Sequence, residues 1–283
     1  MRLGAHVSIA GGCAKAPARA RDLGCETFQI FSRSPRGLRN TPALSPEEGE
    51  AFKQALRANG FDGCLIHANY LINLAAATPE QLELGRRELA VELERAQTLG
   101  GQNLVVHPGA HMGGGEDKAV RLVAESLDWA LENAAAADVV ICLENTAGQG
   151  SAVGYHLEHL RDILAAARYP RRLAVCIDTC HALAAGYELR DGDSYAQFVE
   201  RIGATVGLDR VSWWHLNDCE GELGCRKDRH ANIGAGSIGA PAFARLLNDP
   251  RFQGRPACLE TPGGDDEYRR ELTLLKTLRE MVP

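Results

Sequence analysis

The chain has 283 residues, of which 45% are hydrophobic, so we expect a globular protein with a sizeable core. No apolar run approaches the roughly 20 residues that cross a bilayer, and the N-terminus lacks an export or transit pattern. The nine cysteines show no paired spacing, which favours reduced thiols in a cytoplasmic protein. We expect no membrane association and no obligatory protein partner. The net charge of −6 disfavours nucleic-acid binding, unless the fold also binds divalent cations.

Short apolar runs alternate with amphipathic helical patterns along the chain. One helix is predicted over 79–99, with Thr78 as its N-cap and Gly100 directly after its end. Another is predicted over 116–135, where apolar residues recur at spacings of three and four. The apolar runs predict buried parallel strands at 3–6, 27–31, 64–67, 104–107, 139–144, 173–178, 211–215 and 257–260.

Eight strand-then-helix units predict an α/β fold, a single (β/α)8 TIM barrel that spans residues 1–283 as one domain. In this fold the C-terminal ends of the strands surround one mouth, and active sites lie there. The last unit is the least regular, because a long polar loop over 216–239 follows the seventh predicted strand.

Side chains that can bind metals end six of the eight predicted strands. They are His67, His107, Glu144, Asp178, His215 and Glu260. The loops add His181, three residues after Asp178, and the close pair Asp228 and His230. Taken singly, a histidine here is more often a hydrogen-bonded structural residue, and an acid can simply cap the next helix. Taken jointly, the set contains only histidine, aspartate and glutamate, which are zinc ligands.

Nine such side chains are too many for one ion, because zinc takes about four donors and catalytic sites keep one position open. Three ions that share a bridging carboxylate fit the count. Clustered divalent ions suit the hydrolysis of phosphate esters, since they stabilise both the attacking and the leaving oxygen. The two cysteines of the segment CIDTCH, Cys176 and Cys180, are interpreted as bystanders to the ligands between and beside them.

Eight stretches carry a family resemblance: GAHVSIAGG, YLINLA, HPGAH, LENTAGQGS, CIDTCHALAAGY, HLND, KDRHANIGAG and LETP. With these motifs in this order, the sequence resembles endonuclease IV, the zinc-dependent apurinic/apyrimidinic endonucleases of base-excision repair. The resemblance implies a TIM barrel with three zinc ions, with Mn²⁺ able to substitute in one site. It also implies hydrolysis of the phosphodiester 5′ to an abasic site in double-stranded DNA. The products would be a 3′-hydroxyl and a 5′-deoxyribose phosphate, and 3′-blocked ends would also be repaired.

The resemblance implies a role for each candidate residue. Glu144 and Glu260 are the expected catalytic carboxylates, which orient the metals and the nucleophile. The first zinc would take His67, His107 and Glu144; the second Glu144, Asp178, His215 and Glu260; and the third His181, Asp228 and His230. Arg36, Tyr70 and Leu71 would enter the duplex at the lesion, where flipping is cheapest because the base is already missing. His6 and His111 are interpreted as supports of the ligands.

Two other classes of protein remain open at this stage. Sugar isomerases and epimerases also place histidines and acids at the strand ends of a metal-dependent barrel, although they need fewer metal-bound histidines. A non-catalytic lesion-binding or zinc-storage protein would hold metal without turnover. Incision of a duplex with one abasic site separates all three classes.

Overall fold

The structure, a computed structural model, describes residues 1–35, 37 and 43–281. Its barrel closes in the order β1-β10-β7-β6-β5-β4-β3-β2, with all neighbouring strands parallel. The strands are β1 (Arg2–His6), β2 (Thr27–Phe31), β3 (Leu65–His67), β4 (Asn103–Val106), β5 (Val140–Glu144), β6 (Leu173–Asp178), β7 (Val211–His215), β8 (Asp218–Cys219), β9 (His230–Ala231) and β10 (Pro256–Leu259). The predicted TIM barrel is confirmed.

Strand bounds agree with the predicted ones within a single residue. Two of the differences concern candidate site residues: His107 and Glu260 directly follow β4 and β10, whereas they were predicted to be the last residues of these strands. The reason is that the ladder between β4 and β5 ends at Val106, and the ladder between β1 and β10 ends at Leu259. The irregular 216–239 loop contains the two-stranded antiparallel ribbon of β8 and β9.

Helices cover the outside of the barrel. They are α1 (Ala16–Asp22), α2 (Pro46–Ala58), α3 (Pro79–Leu99), α4 (Glu116–Asn133), α5 (Leu157–Ala166), α6 (Thr179–Ala185), α7 (Gly192–Thr205), α8 (Ala240–Leu247) and α9 (Asp265–Glu280). The predicted bounds of α3 are confirmed: Thr78 caps it through Gln81 N, and Gly100 ends it with a φ of 71°. α4 ends two residues earlier than predicted, because Ala134 is extended. Within the described ranges, none of these helices is long and apolar enough to cross a membrane.

Two buried regions form the core. The larger lies between the barrel and its helices, and it contains Phe28, Phe52 and Phe243. The smaller fills the inside of the barrel, where Trp213 packs with buried thiols that include Cys142 and Cys258. These two cysteines are free and buried, as the sequence predicted. The filled barrel gives the mouth above it a packed floor, so side chains at the strand ends start from fixed backbone positions.

Candidate metal centre

The carboxyl ends of the barrel strands bring the predicted residues to one mouth. His67, Glu144, Asp178 and His215 are the last residues of their strands. Three groups of side chains there place their donor atoms within 4.8 Å of one another and can hold metal ions. They are His67, His107 and Glu144; Glu144, Asp178, His215 and Glu260; and Asp178, His181 and His230.

Glu144 stands between the first two groups. Its Oε2 lies 3.5 Å from His67 Nε2 and 3.1 Å from His107 Nε2. Its Oε1 lies 2.9 Å from His215 Nδ1 in the second group. Each oxygen of one fully buried carboxylate therefore faces a different donor group, which is the arrangement a bridging ligand requires.

Asp178 has two functions in the structure. Its Oδ1 accepts a hydrogen bond of 2.8 Å from His181 N and so caps α6. Its Oδ2 accepts from Asn217 Nδ2 at 2.6 Å and lies 3.7 Å from His230 Nε2. The capping role and the position among metal donors are therefore compatible, because the two oxygens of one carboxylate serve them separately.

The third group contains one more residue than the sequence indicated. His181 Nε2 and His230 Nε2 each lie 3.3 Å from Asp228 Oδ1, so Asp228 joins the pair from the loop. Asp178 also belongs to this group, which makes it common to two groups. The ribbon positions His230, since Cys219 of β8 pairs directly with it.

Backbone acceptors fix the ring orientation of three histidines. Nδ1–H of His67 donates to Ala68 O at 2.6 Å, and that of His181 donates to Asn145 O at 2.9 Å. Nδ1–H of His230 donates to Glu260 O at 3.1 Å. A neutral imidazole that donates from Nδ1 carries its lone pair on Nε2. Each ring therefore presents a free Nε2 to the mouth, as metal-binding histidines do.

Four buried polar atoms at this mouth have no hydrogen-bond partner among the described residues. They are His67 Nε2, Glu144 Oε2, His181 Nε2 and His230 Nε2. Buried polar atoms in proteins are nearly always paired, because an unpaired one costs roughly 1–3 kcal/mol. A cation in each group would satisfy these atoms, and the nitrogen and oxygen donors are those that zinc prefers. The residues therefore fit the implied metal centre.

The charges at the mouth also favour cations. Burial opposes the ionisation of Glu144, but His215 and His107 hold the pKa of its carboxyl well below the usual range. Burial likewise opposes the ionisation of Asp228, yet the neighbouring His181 imidazole lowers its pKa to about 2. Ionised carboxylates that gather at one mouth favour cations, and bound divalent ions would neutralise their charge.

Gln29 is a supporting residue that sequence reasoning missed. It is fully buried in β2, where its Oε1 accepts from His215 Nε2 at 2.8 Å. Its Nε2 donates to Glu260 Oε1 at 2.5 Å and to His6 Nδ1 at 2.7 Å. With Nε2–H donated to Gln29, His215 presents Nδ1 to the carboxylates. One polar residue inside the apolar run TFQIF was the available signal.

The two histidines that were predicted to support the ligands, His6 and His111, have different positions. His6 lies beside the ligands, because its Nδ1 is 3.5 Å from Glu260 Oε1. His111 was interpreted as a similar support, but its Nδ1 accepts from Gly113 N and Gly115 N in its own loop. The structure therefore gives His111 a local role in shaping that loop.

Tyr70 and Leu71 project from the loop after β3 with more than half of their surface exposed, 54% and 56%. The Tyr70 ring packs edge-on against His67 and Phe31, with centroids 5.0 and 5.1 Å apart. The same ring lines a cavity of about 350 Å³ together with His107, His181, His230 and Glu260. An exposed aromatic and an exposed apolar side chain thus stand at the edge of the metal centre. Arg36 lies outside the described residues.

Known proteins resemble the chain over its full length. Residues 17–278 match the family model described as a xylose isomerase-like TIM barrel. A probable endonuclease 4 of Chloroflexus aurantiacus is 44% identical over 98% of both chains. The crystal structure of endonuclease IV from Thermus thermophilus superposes with a TM-score of 0.88, at 40% identity over 99% of each chain.

A D-tagatose 3-epimerase-like protein also superposes, with a TM-score of 0.76 over 99% of this chain and 97% of the other. At 19% identity this likeness shows a common barrel only. The full-length relatives at 40% identity and above carry more weight. On these grounds the chain belongs to the endonuclease IV family.

Proposed function

We propose that this protein is a DNA-repair endonuclease that hydrolyses the phosphodiester 5′ to an abasic site and acts as one domain over residues 1–283. The observation that carries the proposal is the shared carboxylate: Glu144 faces two donor groups, and a third group adjoins them. The products are a 3′-hydroxyl and a 5′-deoxyribose phosphate, and the same centre repairs 3′-blocked ends. Because its proposed substrate is DNA, we infer that the protein is cytoplasmic and is associated with the nucleoid when it acts.

The cofactor is zinc, three ions per chain, with Mn²⁺ as an alternative in one site. The proposed ligands are those that the resemblance implies, with Asp178 shared between the second and third groups. When bound, such ions supply a nucleophile at neutral pH and stabilise charge on the attacking and leaving oxygens. The mixed nitrogen and carboxylate donors of all three groups support this assignment.

The side chains themselves have separate tasks. Glu144 contacts two donor groups and holds them at a fixed distance from each other. Glu260 has one oxygen held by Gln29 and the other 3.3 Å from His215, so it can orient a reacting water at the open side of the cavity. The packed floor and the buried histidines exclude bulk water from beneath, which strengthens electrostatic stabilisation of the transition state.

Lesion recognition is assigned to Arg36, Tyr70 and Leu71. An abasic site lacks one base, so an exposed aromatic ring can stack on a neighbouring base and an apolar side chain can act as a wedge. The exposure of Tyr70 and Leu71 beside the cavity supports these roles. Arg36 is included because it matches the family motif in FSRSPRG.

Multiple-turnover incision tests the proposal. The zinc-loaded protein is given a duplex with a single tetrahydrofuran abasic analogue, beside an undamaged duplex and a ketose sugar. We expect incision only at the analogue, with a 3′-hydroxyl end. Failure to cut with zinc present would reject the nuclease, epimerisation of the ketose would favour the sugar enzyme, and binding without turnover would favour a lesion-binding protein.

The variant Tyr70→Ala should weaken incision. Its matched control is Tyr169→Ala, which changes an exposed tyrosine after α5.

A further inference from the structure

Three cysteines meet beside the third donor group. Cys180 lies in α6, Cys219 in β8, and Cys225 in the loop between β8 and β9. All three are free thiols. Gly221, in the loop after β8, adjoins the sulfurs of both Cys219 and Cys225, and Cys180 Sγ donates to Arg229 O of the same loop at 3.4 Å. Cys180 and Cys219 are fully buried, whereas Cys225 is partly exposed, so it is the one of the three that solutes can reach.

Gly221 makes room for the contact between Cys219 and Cys225. A Cβ atom on residue 221 would lie 2.3 Å from Cys225 Sγ and 3.9 Å from Cys219 Sγ. The first distance is far below van der Waals contact, so any side chain at 221 would push the Cys225 thiol away. The loop backbone thus passes close to both sulfurs, and the absence of a side chain at residue 221 leaves the room that the Cys225 thiol occupies.

We propose that Cys219 and Cys225 are an oxidisable thiol pair, which hydrogen peroxide converts to a disulfide within the loop between β8 and β9. Cys225 is the thiol that reacts first, because it is the accessible one. Cys219 is the thiol that resolves the oxidised intermediate, because it is buried directly beside it. The inference is independent of nuclease activity, since it concerns a covalent change in the loop.

The reaction balances without another reagent. The Cys225 sulfur attacks one oxygen of the peroxide, the O–O bond breaks, and the thiol proton leaves with the second oxygen as water. The product is a sulfenic acid on Cys225. The Cys219 sulfur then attacks the Cys225 sulfur and displaces hydroxide, which takes the Cys219 proton and leaves as a second water. Both sulfurs are oxidised by one electron each, and the peroxide accepts both electrons.

The position of the pair ties it to the proposed metal site. Cys219 pairs across the ribbon with His230, and Cys225 lies three residues before Asp228. The intervening Arg226 has a left-handed φ of 53° and packs over the Tyr155 ring at 4.7 Å. A disulfide would therefore close the loop over 219–225, directly before the segment that carries the proposed ligands Asp228 and His230.

Peptide mass mapping of the zinc-loaded protein tests the inference. The tryptic peptide 211–226 contains Cys219 and Cys225 and no other cysteine. After treatment with peroxide and alkylation of the remaining thiols, we expect this peptide to lose two hydrogen atoms and to escape alkylation. Cys225→Ser and Cys219→Ser should each abolish the change, and a thiol reductant should reverse it.

Gly221→Ala tests the geometry without removing a thiol. The added methyl group should displace Cys225 and slow disulfide formation several-fold, whereas Gly63→Ala, at an open position, should leave the rate unchanged. Three results would overturn the inference. They are sulfenic acid on Cys225 without a disulfide, a bond from Cys219 to Cys180 that links peptide 211–226 to peptide 173–190, and an equal rate in urea-unfolded protein.

Discussion

Glu260 is held so that its two oxygens face different partners. Its backbone N donates to Asn217 Oδ1 at 2.8 Å, and its Oε1 accepts from Gln29 Nε2 at 2.5 Å. Its Oε2 faces His215 Nδ1 at 3.3 Å. Burial opposes the ionisation of this carboxyl, but the neighbouring His215 holds its pKa well below the usual range. Glu260 is therefore an oriented, ionised carboxylate at the edge of the cavity.

Glu260→Gln should reduce incision by at least about a hundredfold, because the negative charge that acts in the transition state is removed while the shape is kept. Binding of the abasic duplex should persist, since the exposed side chains that are proposed to contact DNA are unchanged. Single-turnover incision measures the expected loss of activity, and a separate binding measurement tests whether the abasic duplex is still bound. Near-normal turnover would remove Glu260 from the catalytic residues.

Gln29→Leu should weaken metal retention in the second group by about 10–100-fold, the usual effect of losing a group that orients a ligand. The leucine cannot accept the His215 Nε2 proton or donate to Glu260. Metal content after dialysis against a weak chelator measures the loss. Gln102→Leu is the matched control, because Gln102 is exposed before β4. Equal metal content in both variants would contradict the assigned role.

Sequence reasoning found the residues that can ligate but missed Gln29, for a physical reason. Ligands were recognisable because His, Asp and Glu recur at the ends of apolar runs, and parallel strands bring those ends together. Gln29 lies mid-strand, and its partners His215 and Glu260 lie far away in sequence. The inclusion of Asp178 in the third group likewise depends on a tertiary distance to His230.

At the scale of elements, α3 shows what local signals determine. Its start and end follow from Thr78 and Gly100, both readable in the sequence. The packing of α3 cannot be predicted from these local signals. Gly85, inside the helix, lies against the backbone of the loop that carries Tyr70 and Leu71. A Cβ on Gly85 would lie 2.4 Å from Asn73 O.

Gly85→Ala should weaken incision without changing the metal content. In an exposed helix interior, Gly→Ala stabilises by roughly 0.5–1 kcal/mol, so a loss of stability here would reveal the clash with Asn73. Displacement of that loop should move Tyr70 and Leu71 and raise the KM for the abasic duplex more than it lowers kcat. Thermal unfolding and steady-state kinetics measure these effects. A stabilised variant with unchanged KM would show that the loop does not rest on this glycine.

For the whole molecule, the barrel and the metal centre have different sources of stability. The core contains the apolar residues between helices and strands and the separate filling of the barrel interior, with the donor groups above it at the strand ends. Hydrophobic periodicity predicted this architecture, because strand and helix patterns depend on burial and not on metals. The negative net charge is compatible with the proposed DNA substrate, because acidic groups gather where cations are proposed to bind.

Metal removal should therefore lower the stability of the protein without unfolding it. Ions that bind only the folded chain stabilise it by mass action, by about 4 kcal/mol per site when the free ion is roughly 1,000 times its Kd. Stripping them also leaves buried polar atoms such as Glu144 Oε2 without a hydrogen-bond partner among the described residues. We expect the chelated protein to keep its far-ultraviolet circular dichroism at 25 °C and to melt at a lower temperature, with recovery when zinc is returned. Complete unfolding on chelation would mean that the metals hold the fold together, and an unchanged melting temperature would mean that the donor groups bind no metal.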